Sequence, residues 1–459
     1  MARVLLLNPP APGRTLLRDF ACGETAKADY CWAPIDLLVL SGVLSGHELS
    51  VLDAVAEALP ADAALARARA ARPEVVFTLV AAVSLAQDQA FLHALKQATG
   101  ARVYALGDVA SFEPARTLDR APALDGTVQD FAEPSLDGLA QGRLAQVQGV
   151  VLRGADGRPD WRPPRADGLM RYPRPQHALF PLHRYRLPFS RWQGCTSVLT
   201  VYGCPFPCTF CPSNALPYQL RPLPDVLDEL QAVRRLGVRE VFLRDFTFGP
   251  TRRRAVELCE GMAALDLGIG WTAECRLEVL DEDLLARMRR AGCEVIMCGV
   301  EVGDPEVSQR LGKRQDLARA SRLLAEARRL GIRTCGHFVL GSPGETAEQL
   351  ARTAALARSL PMDYAAFNLY APRLGTPMRA ELVAQGRVDA EDFGEQDVSV
   401  AAQRFAAVDG PTLRRHYIRA VLGFYLRPRH AARLLAVTPW STLGRQGLGV
   451  LRNVASSRA

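Results

Sequence analysis

The sequence predicts an α/β protein built from a doubly wound first unit, a partial barrel of six strand–helix repeats and a helical extension at the end. Three observations carry this reading. Short apolar runs alternate with helical patterns over the first 150 residues and again between residues 191 and 385, and strands separated by helices of that size pair in parallel through crossovers. Seven prolines (159, 163, 164, 173, 175, 181 and 188) interrupt the alternation, and a segment of that kind reads as a connector. A chain of 459 residues, at roughly 150 per domain, has room for about three such units. The expected organisation is a first domain over 1–150, a Pro-rich linker over 151–190, a barrel over 191–385 and a basic helical region over 386–459.

In the first unit, residues 4–7 read as a buried strand ending at Asn8, Pro9 and Pro10, 35–44 as an apolar helix and 49–53 as a second strand. Residues 65–72 and 87–99 have helical spacing, and 75–80 and 103–106 read as further strands, the last ending at Gly107. Ligands on doubly wound sheets lie beyond the carboxyl ends of the strands, here around Asn8, Ser84, Gly107 and Asp108. The barrel strands are expected at 198–202, 240–244, 271–275, 295–300, 334–340 and 364–370, with helices at 224–236, 252–265, 282–291, 317–330 and 347–360. Chemistry on such barrels also sits at the carboxyl ends of the strands.

Composition excludes several classes. With 48% hydrophobic and 23% charged residues the chain is neither disordered nor collagenous. No apolar run approaches the ~18 residues of a spanning helix, and the opening residues lack the ordered regions of a secretion signal, so a cytoplasmic protein is expected. Eleven cysteines in such a chain suggest metal binding or buried thiols rather than a disulfide framework. The net charge of +7 is uneven: residues 401–459 hold ten arginines and one acid, a sum of +9, which leaves −2 for the other 400. A near-neutral bulk argues against a nucleic-acid partner.

The decisive motif is Gly203-Cys204-Pro205-Phe206-Pro207-Cys208-Thr209-Phe210-Cys211-Pro212. Three thiolates spaced C-x3-C-x2-C are soft ligands suited to an iron–sulfur cluster. Three cysteines on a four-iron cubane leave one iron open to chelate an amine and a carboxylate. Zinc usually takes four ligands in paired knuckles, and no matching second pair occurs. With Phe210 before the last cysteine, the sequence resembles the radical S-adenosylmethionine superfamily; residues 242–248, 271–276, 299–304 and 336–346 match its pattern too, with Val302 standing where the family usually has Ser. The first 150 residues look like the cobalamin-binding module of one subfamily, which includes class B radical methyltransferases and relatives of the anaerobic protoporphyrin ester cyclase. Its marks are Asn8-Pro9-Pro10, residues 34–38, Gly46-His47-Glu48 and residues 106–108; the phrase at 424–428 recurs in the same group. The family commonly has Gly-Gly where this chain has Gly107-Asp108, and no D-x-H-x-x-G occurs.

The resemblance implies a [4Fe–4S] cluster on Cys204, Cys208 and Cys211, and S-adenosylmethionine on the open iron. It further implies base-off cobalamin in the first domain and an electron donor such as flavodoxin or ferredoxin. The reaction implied is C-methylation of an unactivated carbon of a small-molecule or natural-product intermediate through a 5′-deoxyadenosyl radical. Two alternatives stand: a non-methylating radical enzyme of the same architecture, performing cyclisation, oxidation or rearrangement, and a non-catalytic cobalamin-binding protein. Methylthiotransferases share the barrel but carry three more cysteines in their first domain. Phe210, Asp245, Glu274, Arg276, Glu301, Gly336 and Leu340 are the candidate S-adenosylmethionine contacts, and Asn8, Pro9, Ser84, Gly107 and Asp108 the candidate cobalamin contacts. Asp245 can instead cap the next helix; Glu274, Arg276 and Glu301 can instead form buried ion pairs.

Cys195, Cys259, Cys293, Cys298 and Cys335 read as core residues, Cys275 as a strand-end thiol, and Cys22 and Cys31 as lying before the first helix. His47 and His93 read as surface residues and His337 as facing the barrel interior. In the tail, Leu413, Tyr417, Val421, Phe424 and Tyr425 fall near helical spacing with Arg414, Arg415 and Arg419 outside the stripe. That pattern describes a helix packed on the barrel, or one lying on a membrane surface.

Overall fold

The structure, a computed structural model, describes residues 1–21, 23–164, 169–399 and 404–438 and positions 442, 444 and 447. The first unit contains β1 (Arg3–Asn8), a hairpin of β2 (Leu16–Arg18) and β3 (Gly23–Thr25), α1 (Ile35–Val43), β4 (Glu48–Asp53), α2 (Ala61–Ala70) and β5 (Val75–Leu79). It continues with α3 (Leu85–Thr99), β6 (Arg102–Leu106), α4 (Asp108–Phe112), α5 (Pro114–Arg120), β7 (Gly126–Val128), α6 (Asp137–Gln141), β8 (Val150–Arg153) and β9 (Pro159–Arg162). The sheet order is β4-β1-β5-β6-β7-β8-β9. The first five strands are parallel and the last two antiparallel. Helices cover both faces, so β5 is buried at every residue and reads as an unbroken apolar run rather than an alternating one. The order of strand addition reverses between β1 and β5, which makes their carboxyl ends the topological switch point.

The first sheet continues past the expected boundary at residue 150: β8 pairs with β7 and β9 with β8, so it runs to Arg162. The connector between the two units is irregular but firmly packed. Tyr172, Phe180, Tyr185 and Leu187 are buried; the Tyr185 hydroxyl donates to the Asp53 carboxylate at 2.9 Å, and His177 bridges Thr196 and Glu229 at 2.8 and 2.9 Å.

The second sheet is β10 (Thr196–Val198), β13 (Glu240–Leu243), β14 (Gly270–Cys275), β15 (Cys293–Glu301), β16 (Arg333–Leu340) and β17 (Tyr364–Leu369), in that order. All six are parallel and the ends do not pair, giving a partial barrel. The expected strand at 198–202 is two strands: β11 (Val201–Tyr202) leaves the barrel and pairs antiparallel with β12 (Gln219–Leu220). The cause is Asp245, whose carboxylate accepts from the backbone N–H of Thr200 and Val201 at 2.7 and 3.1 Å and so replaces the ladder bonds a continuing strand would need.

The barrel helices are α7 (Leu223–Arg235), α8 (Arg252–Leu265), α9 (Glu282–Arg290), α10 (Pro305–Arg310), α11 (Leu317–Arg329) and α12 (Ala347–Ser359). Side-chain caps by Thr251, Asp281, Asp304, Asp316 and Thr346 start five of them, each satisfying an otherwise orphaned N–H. α13 (Pro377–Ala384), α14 (Gly410–Tyr425) and α15 (Pro428–Val437) follow. Leu413, Tyr417, Val421 and Phe424 are buried in the barrel's own core, so the tail stripe faces the barrel and is not free to lie on lipid. Among the described residues no helix is long and apolar enough to cross a membrane. One apolar cluster joins the two units: Phe20, Val75 and Phe131 share it with Tyr202, Phe242, Met297 and Tyr364.

Candidate active site

The loop after β11 turns sharply at Gly203, whose φ is +69° and whose missing Cβ would stand 2.5 Å from the Pro217 carbonyl oxygen; only glycine fits. The turn aims the three cysteines at a cavity of ≈ 280 Å³ over the carboxyl ends of the barrel strands. Cys204, Cys208 and Cys211 all line it. The loop is pinned by backbone bonds from Thr209 to Leu311 (3.1 Å) and Cys211 to Cys208 (3.3 Å), and by Asn214 Nδ2 donating to the Cys208 carbonyl at 3.2 Å. Burial pushes the Cys211 thiol up to about 11 and raises that of Cys208, with Arg276 pulling the latter back. Both are therefore thiols until a metal displaces the proton. Among the described residues no three His, Cys, Asp or Glu side chains gather at a single-ion site. Three soft thiolates on one cavity wall that do not meet at one point fit a cluster, in which each thiolate takes its own iron.

Arg276, from the end of β14, donates from Nη1 to Cys208 Sγ at 2.9 Å, lies 4.2 Å over the Phe206 ring and pairs with Glu278 at 3.4 Å. Glu301 ends β15 with φ +66°, a left-handed backbone that is strained for a side-chain-bearing residue. A register shift between Gly299 and Glu301 produces it. Lys313 Nζ holds the pair in place, donating to Glu301 Oε1 at 2.7 Å and to the Gly299 carbonyl at 2.6 Å. The first unit contributes Leu17, Asp19, Glu24, Lys27, Tyr30 and Trp32 to the same lining. Asp19 pairs with Arg244 and Glu24 with Arg373, the latter at 3.1 Å. Lys27 Nζ donates to Asn368 and to the Phe367 carbonyl, and burial lowers it to about 8.

Of the expected S-adenosylmethionine contacts, Phe210, Glu274, Arg276 and Glu301 line this cavity, and His337 does too. The other three do not line it. Asp245 is buried and spent on Thr200 and Val201. Leu340 lies in the barrel core. Gly336 faces Met362, whose sulfur would be 2.3 Å from an added Cβ, so its glycine serves packing. His47, expected at the surface, is buried between the backbone N–H of Ala2 and Asp137. Cys22 lies outside the described residues. Missed altogether were Lys27, Tyr30, Trp32 and Lys313. A signal existed for two of them: the chain has only three lysines against 53 arginines, and two of the three line the cavity.

The candidate cobalamin residues converge as expected at the ends of β1, β5 and β6, but Asn8, Ser84 and Asp108 are buried against the hairpin β2–β3. Asn8 accepts from Arg18 at 2.9 Å and donates to Asp53 at 2.9 Å. Ser84 donates to Asp88 at 2.7 Å. Asp108, pushed up to about 6 by burial, accepts from the N–H groups of Gly23, Ala82 and Val109 at 2.8, 3.0 and 2.7 Å. These residues fit one another and the hairpin, and they do not fit a large ligand.

A barrel mouth with three cysteines, each on its own part of the wall, defines a class. The profile described as the Radical SAM superfamily matches residues 198–357; this stretch is a radical SAM domain, the kind of domain that works with a [4Fe–4S] cluster and S-adenosylmethionine. An uncharacterized methyltransferase of Pyrococcus horikoshii is 25% identical over 414 residues, covering 86% of this chain and 88% of that one. The anaerobic magnesium-protoporphyrin IX monomethyl ester cyclase of Rubrivivax gelatinosus is 26% identical over 361 residues, 74% of this chain and 64% of that one. The structure of the radical S-adenosylmethionine methyltransferase TsrM from Kitasatospora setae with cobalamin and a [4Fe–4S] cluster bound has a TM-score of 0.67 at 18% identity, covering 97% of this chain and 92% of that chain. The cobalamin-dependent S-adenosylmethionine radical enzyme OxsB gives 0.72 at 14%, covering 98% and 72%. Both structures share the fold.

Proposed function

We propose that the protein is a C-methyltransferase of the cobalamin-dependent radical kind, acting on a small molecule held between the barrel mouth and the segment 17–32. The observation that carries this is the shared cavity, lined both by the three cysteines and by side chains of the first unit. The match to a named methyltransferase along most of both chains supports it. A cluster bound to the three cysteines supplies reductive cleavage of S-adenosylmethionine, the radical source, with electrons from a small protein such as a flavodoxin or ferredoxin.

The chain's own residues do the rest. Cys204, Cys208 and Cys211 hold the cluster, and Arg276 orients the Cys208 thiolate. The Lys313–Glu301 pair, locked at a strained strand end, presents a fixed carboxylate to a bound ammonium or hydroxyl. Tyr30 and Trp32, stacked at 5.5 Å, close the first-unit side against water, which protects a reactive intermediate. As placed, Asn8, Ser84 and Asp108 are taken up by Arg18, Asp53, Asp88 and Gly23, so a cobalamin reaches them only if the hairpin β2–β3 moves aside.

The closed first-unit crevice, with the match to a ring-forming relative, favours one second reading, a radical cyclase or oxidase without methyl transfer. The test is incubation of reduced, reconstituted protein with trideuteromethyl-labelled S-adenosylmethionine and the small-molecule fraction of its source cells. Mass spectrometry should find the labelled methyl group on a product carbon. Formation of 5′-deoxyadenosine with a new product that carries no label would overturn methylation in favour of the second reading.

A further inference from the structure

The charged side chains that line the cavity neutralise one another, with one exception. Asp19 pairs with Arg244, Glu24 with Arg373 and Glu301 with Lys313, and Arg276 is held between Cys208 and Glu278. Lys27 has no such partner. Its Nζ donates to two neutral oxygens, Asn368 Oδ1 and, at 2.9 Å, the Phe367 carbonyl. Among the described residues it is the one lysine or arginine of the lining without an anionic partner. The carboxylates whose charge it feels, Glu24 and Asp397, are committed elsewhere: Glu24 to Arg373, and Asp397 to Thr25 Oγ1 at 2.7 Å and the Ser399 N–H at 2.9 Å. An ammonium taken out of water without a counter-ion is costly, and burial accordingly pulls Lys27 down to about 8. Asn368 lines the cavity too. Because its carbonyl oxygen accepts from Lys27, its Nδ2 group stands as a second donor beside the ammonium, and among the described residues that group has no acceptor. The Tyr30 hydroxyl accepts from the Lys27 backbone N–H at 3.4 Å, so its ring, tilted only 21° from that of Trp32 at 5.5 Å, borders the pair.

Resting on the small-molecule reading above, we infer that Lys27 and Asn368 anchor the substrate, and that the substrate is a carboxylic acid with an apolar body. One carboxylate oxygen accepts from the Lys27 ammonium and the other from the Asn368 amide. The body lies against Tyr30, Trp32, Leu17 and Phe246, which line the same cavity; a few polar groups that fix orientation within apolar walls are the usual make-up of a small-molecule site. The charge count points to a carboxylate rather than a phosphate. One unpaired ammonium matches one negative charge, whereas a phosphate monoester carries close to two charges and three acceptor oxygens. Lysine is also the less suited residue for gripping several oxygens at once, which is the task of the arginine fork. In a chain with 53 arginines, position 27 holds instead a point charge with three N–H groups, two of them spent on Asn368 and Phe367. The carboxylate of S-adenosylmethionine is used at the open iron of the cluster, which leaves Lys27 for the substrate. Lys27 is thus a specificity-determining residue: it selects an acid over the corresponding amide or ester.

The test uses reduced, reconstituted full-length protein with trideuteromethyl-labelled S-adenosylmethionine and the small-molecule fraction of its source cells, split beforehand on an anion exchanger near neutral pH into a retained and an unretained pool. A new product, labelled or not, should arise from the retained pool alone. It should form a methyl ester in acidic methanol, and phosphatase treatment of the pool should not diminish it. Lys27→Met should raise KM for that substrate at least about tenfold while kcat changes less than about threefold, the mark of lost binding. Lys27→Arg, which keeps the charge, should recover part of the loss. Iron content and the reduced-cluster resonance establish that each variant is loaded. A product from the unretained pool, a product abolished by phosphatase, or the same KM in wild type and Lys27→Met would each overturn the carboxylate site while leaving the small-molecule reading intact; the first two results need no variant to fold. Formation of 5′-deoxyadenosine with no new product from either pool would instead overturn the small-molecule reading, and the inference with it.

Discussion

At the scale of single residues, Arg276 shows how a site chemistry is set by one hydrogen bond. A sequence reading offers it to S-adenosylmethionine, yet its guanidinium reaches the Cys208 sulfur and is braced by Phe206 and Glu278. A donor on a cluster sulfur stabilises the reduced, more negative state and raises the reduction potential. Arg276→Gln is expected to keep its iron but to shift the potential downward. At a fixed applied potential the reduced-to-oxidised ratio should fall about tenfold, equal to 59 mV for one electron. A redox titration followed by electron paramagnetic resonance measures this, and an unmoved potential would return Arg276 to a purely structural role. Glu345 gives a pH prediction. Buried at the turn before α12, it accepts from the N–H groups of Gly341 and Ser342 at 2.8 and 3.0 Å, and burial pushes it up to about 7. A folded pKa above the unfolded value means the native state binds the extra proton. Stability is then greatest below about pH 4.5 for this group and is lost as pH rises toward 7, by the order of 3 kcal/mol. Glu345→Gln keeps an acceptor for both amides and should flatten that fall in urea midpoints measured between pH 5 and 8.

At the scale of elements, α14 settles what the arginine-flanked stripe is for. Phe424 is fully buried and meets Phe367 of β17 edge-to-face at 6.5 Å, while the Tyr425 hydroxyl donates to the Ala365 carbonyl at 2.8 Å. Phe424→Ala should cost about 3–5 kcal/mol, the range for emptying a closed core site, and lower the denaturation midpoint. Arg415→Ser, at the solvent edge, should change it by less than about 0.5 kcal/mol. Equal effects of the two would contradict the packing described. The Cys loop makes the complementary point: β11 leaves the barrel because Asp245 takes its backbone donors, so a residue expected to touch the ligand in fact builds the platform for the cysteines.

At the scale of the whole molecule, the two units behave as one body. Phe20 contacts Phe131 of its own unit at 5.4 Å and Tyr202 and Phe246 of the barrel at 5.1 and 5.4 Å, and Asp19 pairs with Arg244 across the seam. Domains joined only by a flexible linker unfold separately. Here calorimetry is expected to give a single transition, lowered as a whole by Phe20→Ala; two resolved transitions would show the seam to be weak.

The local sequence determined much of this protein. Apolar runs located β1, β4, β5 and β6 of the first sheet and all but the first strand of the barrel, because strand and helix periods are local properties of the chain, and the spacing of Cys204, Cys208 and Cys211 announced the cluster, because its ligands lie within one loop. Only the tertiary structure decided the rest. Lys27, Tyr30 and Trp32 reach the barrel mouth from a segment some 170 residues earlier, and no short-range pattern encodes that approach. The edge strand β9 hid at the start of the Pro-rich segment, since pairing at a sheet edge leaves little periodic burial to read. Nothing in the sequence singles out Arg18; that its guanidinium reaches Asn8, Ser84 and Asp88 at the ends of β1 and β5 is due to the hairpin's docking, a property of tertiary contacts and not of residues in order.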